Sequence, residues 1–263
     1  MGGAAHPADG KITRYACFRA GSHEAYGIVE GEIIHEIQGD LFGTRQKTGR
    51  TYPLAAVRLL APTRPTKVLA MAGNYVSHLN TQPKPSNPEL FFKVPSCLIG
   101  PGDAVVLPGG SKEVHLEGEL VIVIGRRARN VSEVDALKYV LGVTCGNDIS
   151  ARDWQANDRQ WWRAKGSDTF GPCGPFVVSG INYDDLLLTS RVNGQVTQQQ
   201  RTSGMVFNCS QIVSFTSRHV TLEPGDLIFT GTMGKTPAIK PGDLLEVEIE
   251  HVGVLKNPVV AEK

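Results

Sequence analysis

The feature that most constrains the fold is an apolar run, Leu120-Val-Ile-Val-Ile124, which begins directly after two acidic residues. Branched side chains dominate this run, which predicts a strand buried on both faces. Because side chains alternate across a strand, Glu117 and Glu119 are expected to share one face with His115. Two such carboxylates are costly to bury unless a cation lies between them. The alternative is a strand end with solvated acids.

Chain length, net charge and the length of the apolar segments exclude several classes of function. A chain of 263 residues suits one large domain, or one with a small appendage. The net charge of +1 offers no field that attracts nucleic acid or an anionic membrane. No apolar segment approaches the roughly 18 residues that span a bilayer, and the first residues lack a signal-peptide core. We therefore expect a cytoplasmic protein that binds neither nucleic acid nor membrane.

Turn-forming residues divide the chain into three parts. Residues 1–10 are small and polar, which predicts disorder. Residues 11–63 predict a small N-terminal β domain, with a hairpin turn at Glu30-Gly31-Glu32 and a linker bracketed by prolines at its end. Residues 64–263 form the remaining part. The 29 glycines and 16 prolines favour a β-rich α+β fold over a helical one.

Local patterns within the larger part predict a few individual elements. Ser132 begins a capping-box-like helix that Gly142 ends, and Val134, Leu137 and Leu141 follow at helical spacing within it. Asn193-Gly194 predicts a hairpin turn, and Pro-Gly-Asp recurs at 224–226 and 241–243. Because that tripeptide is typical of β-turns, Asp226 and Asp243 are expected to be structural. The five cysteines include no C-x-x-C pair, so neither zinc nor a disulfide framework is expected.

Two further residues could complete a site around the paired glutamates. A hard divalent cation such as Mg²⁺ needs more oxygen ligands than two carboxylates supply, and Asp148 follows the short apolar strand Leu141–Cys145. Taken alone, Asp148 is more typical of a helix N-cap than of a metal ligand. Lys165 lies near aromatic residues that exclude water, where desolvation lowers a lysine pKa and suits it for proton transfer. The alternative is a surface lysine.

The order of these motifs resembles that of the fumarylacetoacetate hydrolase superfamily. The resemblance runs without a break across roughly residues 67–259, and the matching pieces are Gly73–His78, Glu117–Leu120, Asn147–Gln155, Lys165–Pro175, Val192–Gly194, Leu222–Thr232 and Pro241–Asp243. The resemblance implies a mixed β-sandwich roll with a small N-terminal β domain. It also implies a homodimer.

The resemblance also implies roles for individual residues. Substrates of this family are mostly 2-oxo acids and 1,3-dicarbonyl acids, and a bound cation stabilises their enolates. The implied ligands of Mg²⁺ or Mn²⁺ are Glu117, Glu119 and Asp148. Lys165 is implied to support the enolate or move a proton, and His78 to act as a second catalytic residue. The implied substrate-binding residues are Arg152, Gln155, Thr232 and Tyr75.

The chain departs from the family pattern in the segment after His78. Hydrolytic and decarboxylating members place a glutamate three residues after this histidine on a mobile lid, whereas this chain has Thr81. A histidine without that carboxylate lacks the group that orients it and raises its basicity. The proline-rich segment Asn80–Glu89 has the composition of such a lid. The loop after Thr232 is also shorter than usual, and His115 stands where many members have an acid.

These observations leave three hypotheses for function. The first is hydrolysis of a C–C bond in an acylpyruvate-type substrate. The second is a tautomerase or decarboxylase acting on an oxaloacetate-like acid, because such reactions need enolate stabilisation but no activated water. The third is a metal-binding β module without turnover. The presence of Lys165 and Arg152 beside the three acidic residues argues against this third hypothesis.

Overall fold

The computed structural model describes residues 11–43, 45–79 and 81–263. The predicted disorder of residues 1–10 lies outside the described residues, as does Asn80. The strands are β1 (Thr13–Ala20), β2 (His23–Glu30), β3 (Ile33–Ile37), β4 (Lys47–Pro53), β5 (Arg58–Leu59), β6 (Val68–Ala72), β7 (Glu89–Lys93), β8 (Leu98–Ile99), β9 (Val105–Leu107), β10 (Val114–His115), β11 (Gly118–Ile124), β12 (Val140–Asn147), β13 (Ser150–Ala151), β14 (Gly171–Ser179), β15 (Leu187–Val192), β16 (Gln195–Arg201), β17 (Leu227–Phe229), β18 (Leu244–Ile249) and β19 (Gly253–Ala261). The helices are α1 (Arg152–Asn157), α2 (Trp162–Gly166) and α3 (Cys209–His219).

Most strands belong to two sheets. The larger sheet has the order β4-β3-β2-β1-β14-β12-β11-β17-β6-β7, with β5 paired to β1 and β8 paired to β14. The smaller sheet has the order β16-β15-β18-β19-β9, and β10 pairs with β13. Pairing is mostly antiparallel, but β17 runs parallel to β6 and β19 parallel to β9. The predicted β-rich α+β class with mixed sheets is therefore confirmed.

Strand β11 lies at the centre of the larger sheet and is buried along its whole length. Leu120 and Ile122 pack into one hydrophobic cluster, whereas Val121 and Val123 pack into another. Apolar side chains are thus required on both faces, which explains the uninterrupted apolar run. The prediction of a strand buried on both faces is confirmed.

The N-terminal strands continue the larger sheet instead of forming one of their own. Tyr15 of β1 lies opposite Val177 of β14 in an antiparallel pair. The predicted hairpin turn is confirmed, since β2 ends at Glu30 and β3 begins at Ile33. The proposed boundary between residues 11–63 and 64–263 stays a prediction. Among the described residues, no helix is both long and apolar enough to cross a membrane.

The helix predicted from Ser132 to Gly142 is wrong. Only the short 3-10 helix Ala136–Tyr139 forms there, and β12 begins at Val140. Val134, which the helical pattern assigned to a buried face, is 87% exposed. Leu141 packs into the core from β12 instead. Sheet pairing and core packing therefore override the local helical spacing.

Four chain segments converge at one edge of the larger sheet. Glu119 at the start of β11 lies opposite Gly146 near the end of β12. Strand β17 runs antiparallel to β11 and parallel to β6. Strands β6 and β17 therefore end at the edge of the sheet where β11 begins. The residues that follow β6, β12 and β17 are consequently gathered around the first residues of β11.

The two Pro-Gly-Asp turns are structural, as predicted. Asp226 is fully buried and accepts hydrogen bonds from the backbone N–H groups of Thr66, Lys67 and Glu223 at 3.0, 3.0 and 2.7 Å. Asp243 accepts from the N–H of Lys240 and from Nδ2 of Asn193, both at 2.9 Å. Asp226 thus ties the segment before β6 to the turn before β17.

Replacing Asp226 is expected to destabilise the protein more than replacing Asp243. The change Asp226→Ala leaves three backbone donors without their partner, at about 1–3 kcal/mol for each group that stays buried. We expect a loss of roughly 3 kcal/mol or more for Asp226→Ala, and about 1–2 kcal/mol for Asp243→Ala. Urea denaturation measures both values. Equal losses would contradict this assignment.

Candidate active site

A cavity of about 130 Å³ opens at the edge where these segments converge. Seven of the nine predicted site residues line it: His78, Glu117, Glu119, Arg152, Gln155, Lys165 and Thr232. The remaining lining residues are Met71, Ala72, Gly73, Phe91 and Trp161. Segments far apart in the sequence therefore form one enclosed, charged site.

Three buried carboxylates lie together at the floor of the site, where Glu117 and Glu119 line the cavity and Asp148 lies behind them without lining it. Glu117, Glu119 and Asp148 each place one oxygen within 4.8 Å of the others, and their exposures are only 3%, 1% and 1%. The backbone holds two of them in place, because the N–H of Asp148 donates to the carbonyl of Glu117 at 2.9 Å. The N–H of Glu117 donates to Oδ1 of Asn147 at 3.0 Å. We call this group the acid trio.

Lys165 lies directly against the acid trio. Its Nζ is 2.5 Å from Oε2 of Glu117 and 2.7 Å from Oδ2 of Asp148. Burial alone would lower the pKa of this lysine, but the two carboxylates outweigh burial and raise its pKa above the ordinary value. The lowered lysine pKa expected from the sequence is therefore wrong for this arrangement. Lys165 is a charged ammonium that donates hydrogen bonds.

A second buried lysine, Lys93, was not predicted from the sequence. Its side chain is 0% exposed, and its Nζ lies 2.6 Å from Oδ1 of Asp148 and 3.1 Å from the carbonyl oxygen of Phe170. It also contacts the carbonyl oxygen of Lys165. Asp148 therefore lies between two ammonium groups. The available signal was a lysine that directly follows the apolar residues Leu90–Phe92 of β7.

Glu119 differs from its two neighbours because no cation contacts it among the described residues. Its Oε2 accepts a hydrogen bond from the N–H of Gly231 at 2.7 Å. Gly231 has φ +96°, and a Cβ there would lie 2.9 Å from Cβ of Asn74, so only glycine fits. Burial, followed by the charges of Asp148 and Glu117, raises the pKa of Glu119 well above its usual value. Glu119 is thus the one member of the trio without a cationic partner among the described residues, and a hard divalent cation held by the three carboxylates would supply that partner.

Arg152 and Gln155 form the opposite wall. They lie three residues apart on α1 and therefore on one face, where Nη1 of Arg152 donates to Oε1 of Gln155 at 2.7 Å. Arg152 also forms an ion pair with Glu117. Although burial opposes ionisation, Lys165 and Arg152 hold the pKa of Glu117 well below its usual range. This wall presents N–H donors that suit a carboxylate.

His78 is oriented by the backbone of the loop after Thr232. Its Nδ1 lies 2.6 Å from the carbonyl oxygen of Gly234, and an acceptor there places a hydrogen on Nδ1. Nε2 is then left as an acceptor. Among the described residues no carboxylate is hydrogen-bonded to His78, and Thr81 is exposed. Glu89 is also exposed and pairs with Ala72 in the sheet.

Thr232 and Tyr75 are placed differently from the other predicted substrate-binding residues. The hydroxyl of Thr232 donates to the carbonyl of Gly118 and accepts from Nε2 of Gln198, both at 3.0 Å, so its only hydrogen is engaged. Tyr75 is fully buried and does not line the described cavity. Burial raises the pKa of Tyr75, and the charge of Glu119 adds to this shift. Substrate contact by these two residues stays a prediction.

Gln198 is another residue that sequence reasoning missed. Its Oε1 accepts from the N–H of Gly118 at 3.2 Å, and its Nε2 donates to the carbonyl of Met233 at 2.5 Å. It therefore fastens the loop after Thr232 to the strand that carries the glutamates. A glutamine within the Gln-rich strand β16 gave no sequence signal for this role.

Aromatic side chains close one side of the cavity. The rings of Phe91 and Trp161 meet edge to face with centroids 5.2 Å apart. Nζ of Lys165 lies 5.4 Å from the centroid of the Phe91 ring. The aromatic wall limits access of water and strengthens the electrostatic interactions inside.

Comparison with known proteins is consistent with this geometry. Residues 67–260 match the family described as "Fumarylacetoacetate (FAA) hydrolase C-terminal", and residues 13–62 match "Rv2993c-like, N-terminal". The chain belongs to the fumarylacetoacetate hydrolase family, which confirms the resemblance seen in the motifs.

Relatives in this family carry out several reactions. The human protein "Oxaloacetate tautomerase FAHD2A, mitochondrial" is 43% identical over 223 residues, which cover 79% of this chain and 71% of that protein. The structure of 2-hydroxyhepta-2,4-diene-1,7-dioate isomerase from Mycobacterium marinum matches with a TM-score of 0.90 and 42% identity, and covers 95% of this chain and 99% of its own. The structure of maleylpyruvate hydrolase from Sphingobium sp. SYK-6, in complex with manganese (II) ion and pyruvate, matches with a TM-score of 0.79 and 29% identity. This match covers 95% of the present chain and 100% of the hydrolase chain.

The missing cationic partner of Glu119 generates a prediction about cation binding. Because burial and the neighbouring carboxylates raise the pKa of Glu119, we expect this residue to hold a proton in the cation-free protein at pH values below that pKa, and a divalent cation to displace it. We expect binding of Mg²⁺ or Mn²⁺ to release up to about one proton, with less release as pH rises past that pKa. The change Glu119→Gln should abolish this release and weaken binding by more than about tenfold. Titration calorimetry in buffers of different ionisation enthalpy measures both quantities.

The same substitution, Glu119→Gln, weakens cation binding but is expected to stabilise the cation-free protein at higher pH. A carboxyl whose pKa is raised on folding favours the folded state at low pH, and this contribution is lost as pH rises through the folded-state pKa. Cation-free Glu119→Gln should therefore become more stable than the unmodified protein as pH rises above the ordinary glutamate range. Glu133→Gln, at an exposed acid that does not line the cavity, is the control. Equal pH profiles for the unmodified protein and Glu119→Gln would contradict the assignment.

Proposed function

We propose that this protein is a divalent-cation-dependent enzyme that interconverts the keto and enol forms of a small 2-oxo dicarboxylic acid, with oxaloacetate as the leading substrate. The observation that carries the proposal is the environment of His78. Its imidazole faces the acid trio's cavity but is oriented by a backbone carbonyl and not by a carboxylate. The similarity to an oxaloacetate tautomerase and to an isomerase supports the same reaction class.

Tautomerisation needs few chemical groups. A proton leaves C3 of the substrate, negative charge develops on the 2-oxo oxygen, and a proton is delivered to that oxygen. No carbon–carbon bond breaks and no water molecule adds. The reaction therefore requires one proton acceptor, one proton donor and stabilisation of the enolate.

We assign the transfer at C3 to His78. With hydrogen on Nδ1 directed to Gly234, its Nε2 is free to accept a proton. A carbonyl orients the ring, but it lacks the full negative charge with which a carboxylate stabilises an imidazolium. This arrangement suits a reversible proton transfer better than the activation of water.

We assign stabilisation of the enolate oxygen to Lys165. Two of its three hydrogens are directed to Glu117 and Asp148, which leaves one to donate to a ligand oxygen. The acid trio would hold Mg²⁺ or Mn²⁺, and this cation would supply further electrostatic stabilisation of the developing negative charge. Both cations accept the same oxygen ligands.

Arg152 and Gln155 complete the site by binding the distal carboxylate. Arg152 has two hydrogens beyond those it directs to Gln155, Glu117 and Thr236. Gln155 lines the same cavity, and because its Oε1 accepts from Arg152, its Nε2 would be the atom that donates to a substrate. A dicarboxylic acid would thus present its 2-oxo end to the acid trio and its other end to these donors.

Hydrolysis of an acylpyruvate, the leading hypothesis from the sequence, has weaker support than tautomerisation. The hydrolase among the compared structures shares 29% identity with this chain, against 42% and 43% for the isomerase and the tautomerase. The absence of a carboxylate partner for His78 among the described residues also removes the group that favours water activation. The homodimer implied by the motifs remains a proposal, to be tested by light scattering.

The proposed function is tested by supplying the enol form of oxaloacetate and, separately, an acylpyruvate with Mg²⁺ present. We expect accelerated loss of the enol absorbance and no scission of the acylpyruvate in proton NMR spectra. Scission of the acylpyruvate without enol–keto exchange would establish hydrolysis instead. Release of CO₂ at the rate of enol loss would establish a decarboxylase.

The role of His78 gives a second test. His78→Gln should lower kcat for tautomerisation by about 10²–10⁴ because the proton acceptor is lost. The affinity for Mg²⁺ should stay unchanged, since His78 does not belong to the acid trio. The exposed His219, changed to Gln, is the control and should leave both quantities unaltered. Full activity in His78→Gln would reject the assignment.

A further inference from the structure

Arg152 is held on its outer side by three polar side chains in series. Its Nη2 donates to Oγ1 of Thr236 at 2.7 Å, and that oxygen lies 2.8 Å from Nδ1 of His115. Nε2 of His115 lies 2.8 Å from Oε1 of Glu113. Thr236, His115 and Glu113 do not line the described cavity. Their influence on a bound substrate must therefore pass through Arg152.

The hydrogen bonds of this series are mutually consistent when the imidazole is neutral. A guanidinium only donates, so Thr236 accepts from Arg152, and a carboxylate only accepts, so His115 donates through Nε2 to Glu113. Nδ1 of His115 then accepts the hydrogen of the Thr236 hydroxyl. Every polar atom in the series has a partner, and the position of the hydroxyl is fixed.

The backbone segments that carry these side chains are also joined. The N–H of Leu116 donates to the carbonyl of Pro237 at 3.1 Å, and the N–H of Ile239 donates to the carbonyl of Val114 at 2.9 Å. The N–H of Arg152 donates to the carbonyl of Glu113 at 2.7 Å. The series therefore connects elements that cannot shift independently. Such support is what holds a binding group in a productive orientation.

Arg152 needs this support because its other charged neighbour belongs to the acid trio. Glu117 attracts the guanidinium toward the floor of the site, where it already forms an ion pair. Thr236 provides the one hydrogen bond to Nη2 that opposes this attraction. The loop that carries Thr236 is also the loop in which the chain departs from the usual family pattern.

We propose that Thr236, supported by His115 and Glu113, positions Arg152 to bind the distal carboxylate of a dicarboxylic 2-oxo acid and so selects such acids over monocarboxylic ones. This inference rests on the proposed function, because that proposal assigns the distal carboxylate to Arg152. Thr236 and His115 are positioning residues, since they act through the guanidinium and not on the substrate.

The test compares Thr236→Val, which keeps the shape but loses the hydroxyl, with Thr236→Ser, which keeps the hydroxyl. With Mg²⁺ present, Thr236→Val should raise KM for oxaloacetate about tenfold, while kcat stays within about a factor of two. The Kd of oxalate, which has no distal arm, should not change. Thr236→Ser should restore KM. Circular dichroism establishes that each variant is folded.

A second variant tests whether the residues act in series. His115→Leu should raise KM in the same direction, and the double variant His115→Leu/Thr236→Val should be no worse than Thr236→Val alone. His115→Leu also replaces Thr236→Val as the test if the latter does not fold. Additive losses in the double variant would reject the series.

The outcomes separate this inference from the proposed function. If Thr236→Val weakened the binding of oxalate and of oxaloacetate equally, Thr236 would act on the acid trio through Glu117. If Thr236→Val left KM unchanged, Thr236 would have no role in binding. Either result overturns the inference. If the unmodified protein does not turn over oxaloacetate, the proposed function fails by itself. Calorimetric Kd values for oxaloacetate and oxalate then test the role of Thr236 without turnover.

Discussion

The rest of the site depends on the balance of charge around the acid trio. Taking three carboxylates out of water is unfavourable unless cations or hydrogen bonds replace the lost hydration. The protein supplies three cationic side chains and places them unevenly. Lys93 and Lys165 contact Asp148, whereas Lys165 and Arg152 contact Glu117. Glu119 receives only a backbone N–H, so the site has a defined place for further positive charge.

That balance explains why the fold is so constrained at this edge of the sheet. Each cation comes from a different element: Lys93 from β7, Arg152 from α1 and Lys165 from α2. Ion pairs hold α1 and α2 to Glu117, and hold α2 and β7 to Asp148. A shift in any element would leave a buried charge without its partner, at a cost of about 3–5 kcal/mol. The short helices are therefore stabilised by the charges they carry as much as by their apolar contacts.

Sequence reasoning identified the central strand, the acid trio and Lys165 because each has a local signal. The alternation expected along this segment predicts the two glutamates on one face, although β11 begins only at Gly118 and His115 does not line the cavity with them. Asp148 follows an apolar strand. Gln198 lacked such a signal and that of Lys93 was weak, because their contacts lie 80 and 55 residues away along the chain. Only the sheet order brings those contacts together. Tyr75 illustrates the opposite case, since its motif position implied a substrate contact although the described structure buries its side chain in the core.

The error over residues 132–142 has a related origin. Helical spacing of Val134 and Leu137 is a local property, whereas pairing of β12 with β11 and β14 depends on the whole sheet. Seven consecutive buried residues in β12 gain more from both neighbours than a short surface helix could provide. Local patterns were thus reliable for the uninterrupted apolar run of β11, and failed where a helical pattern competed with a central strand.

The two proposals together describe how one guanidinium could link substrate selection with the chemistry of the site. Arg152 contacts Glu117 of the acid trio on one side and Thr236 on the other. A dicarboxylic acid bound between these sides would draw the guanidinium away from Glu117 and leave that carboxylate more available to a cation. Substrate and cation would then strengthen each other's binding, because a coupling between two sites acts equally in both directions. A monocarboxylic acid lacks the group that moves Arg152, so it would bind without this coupling.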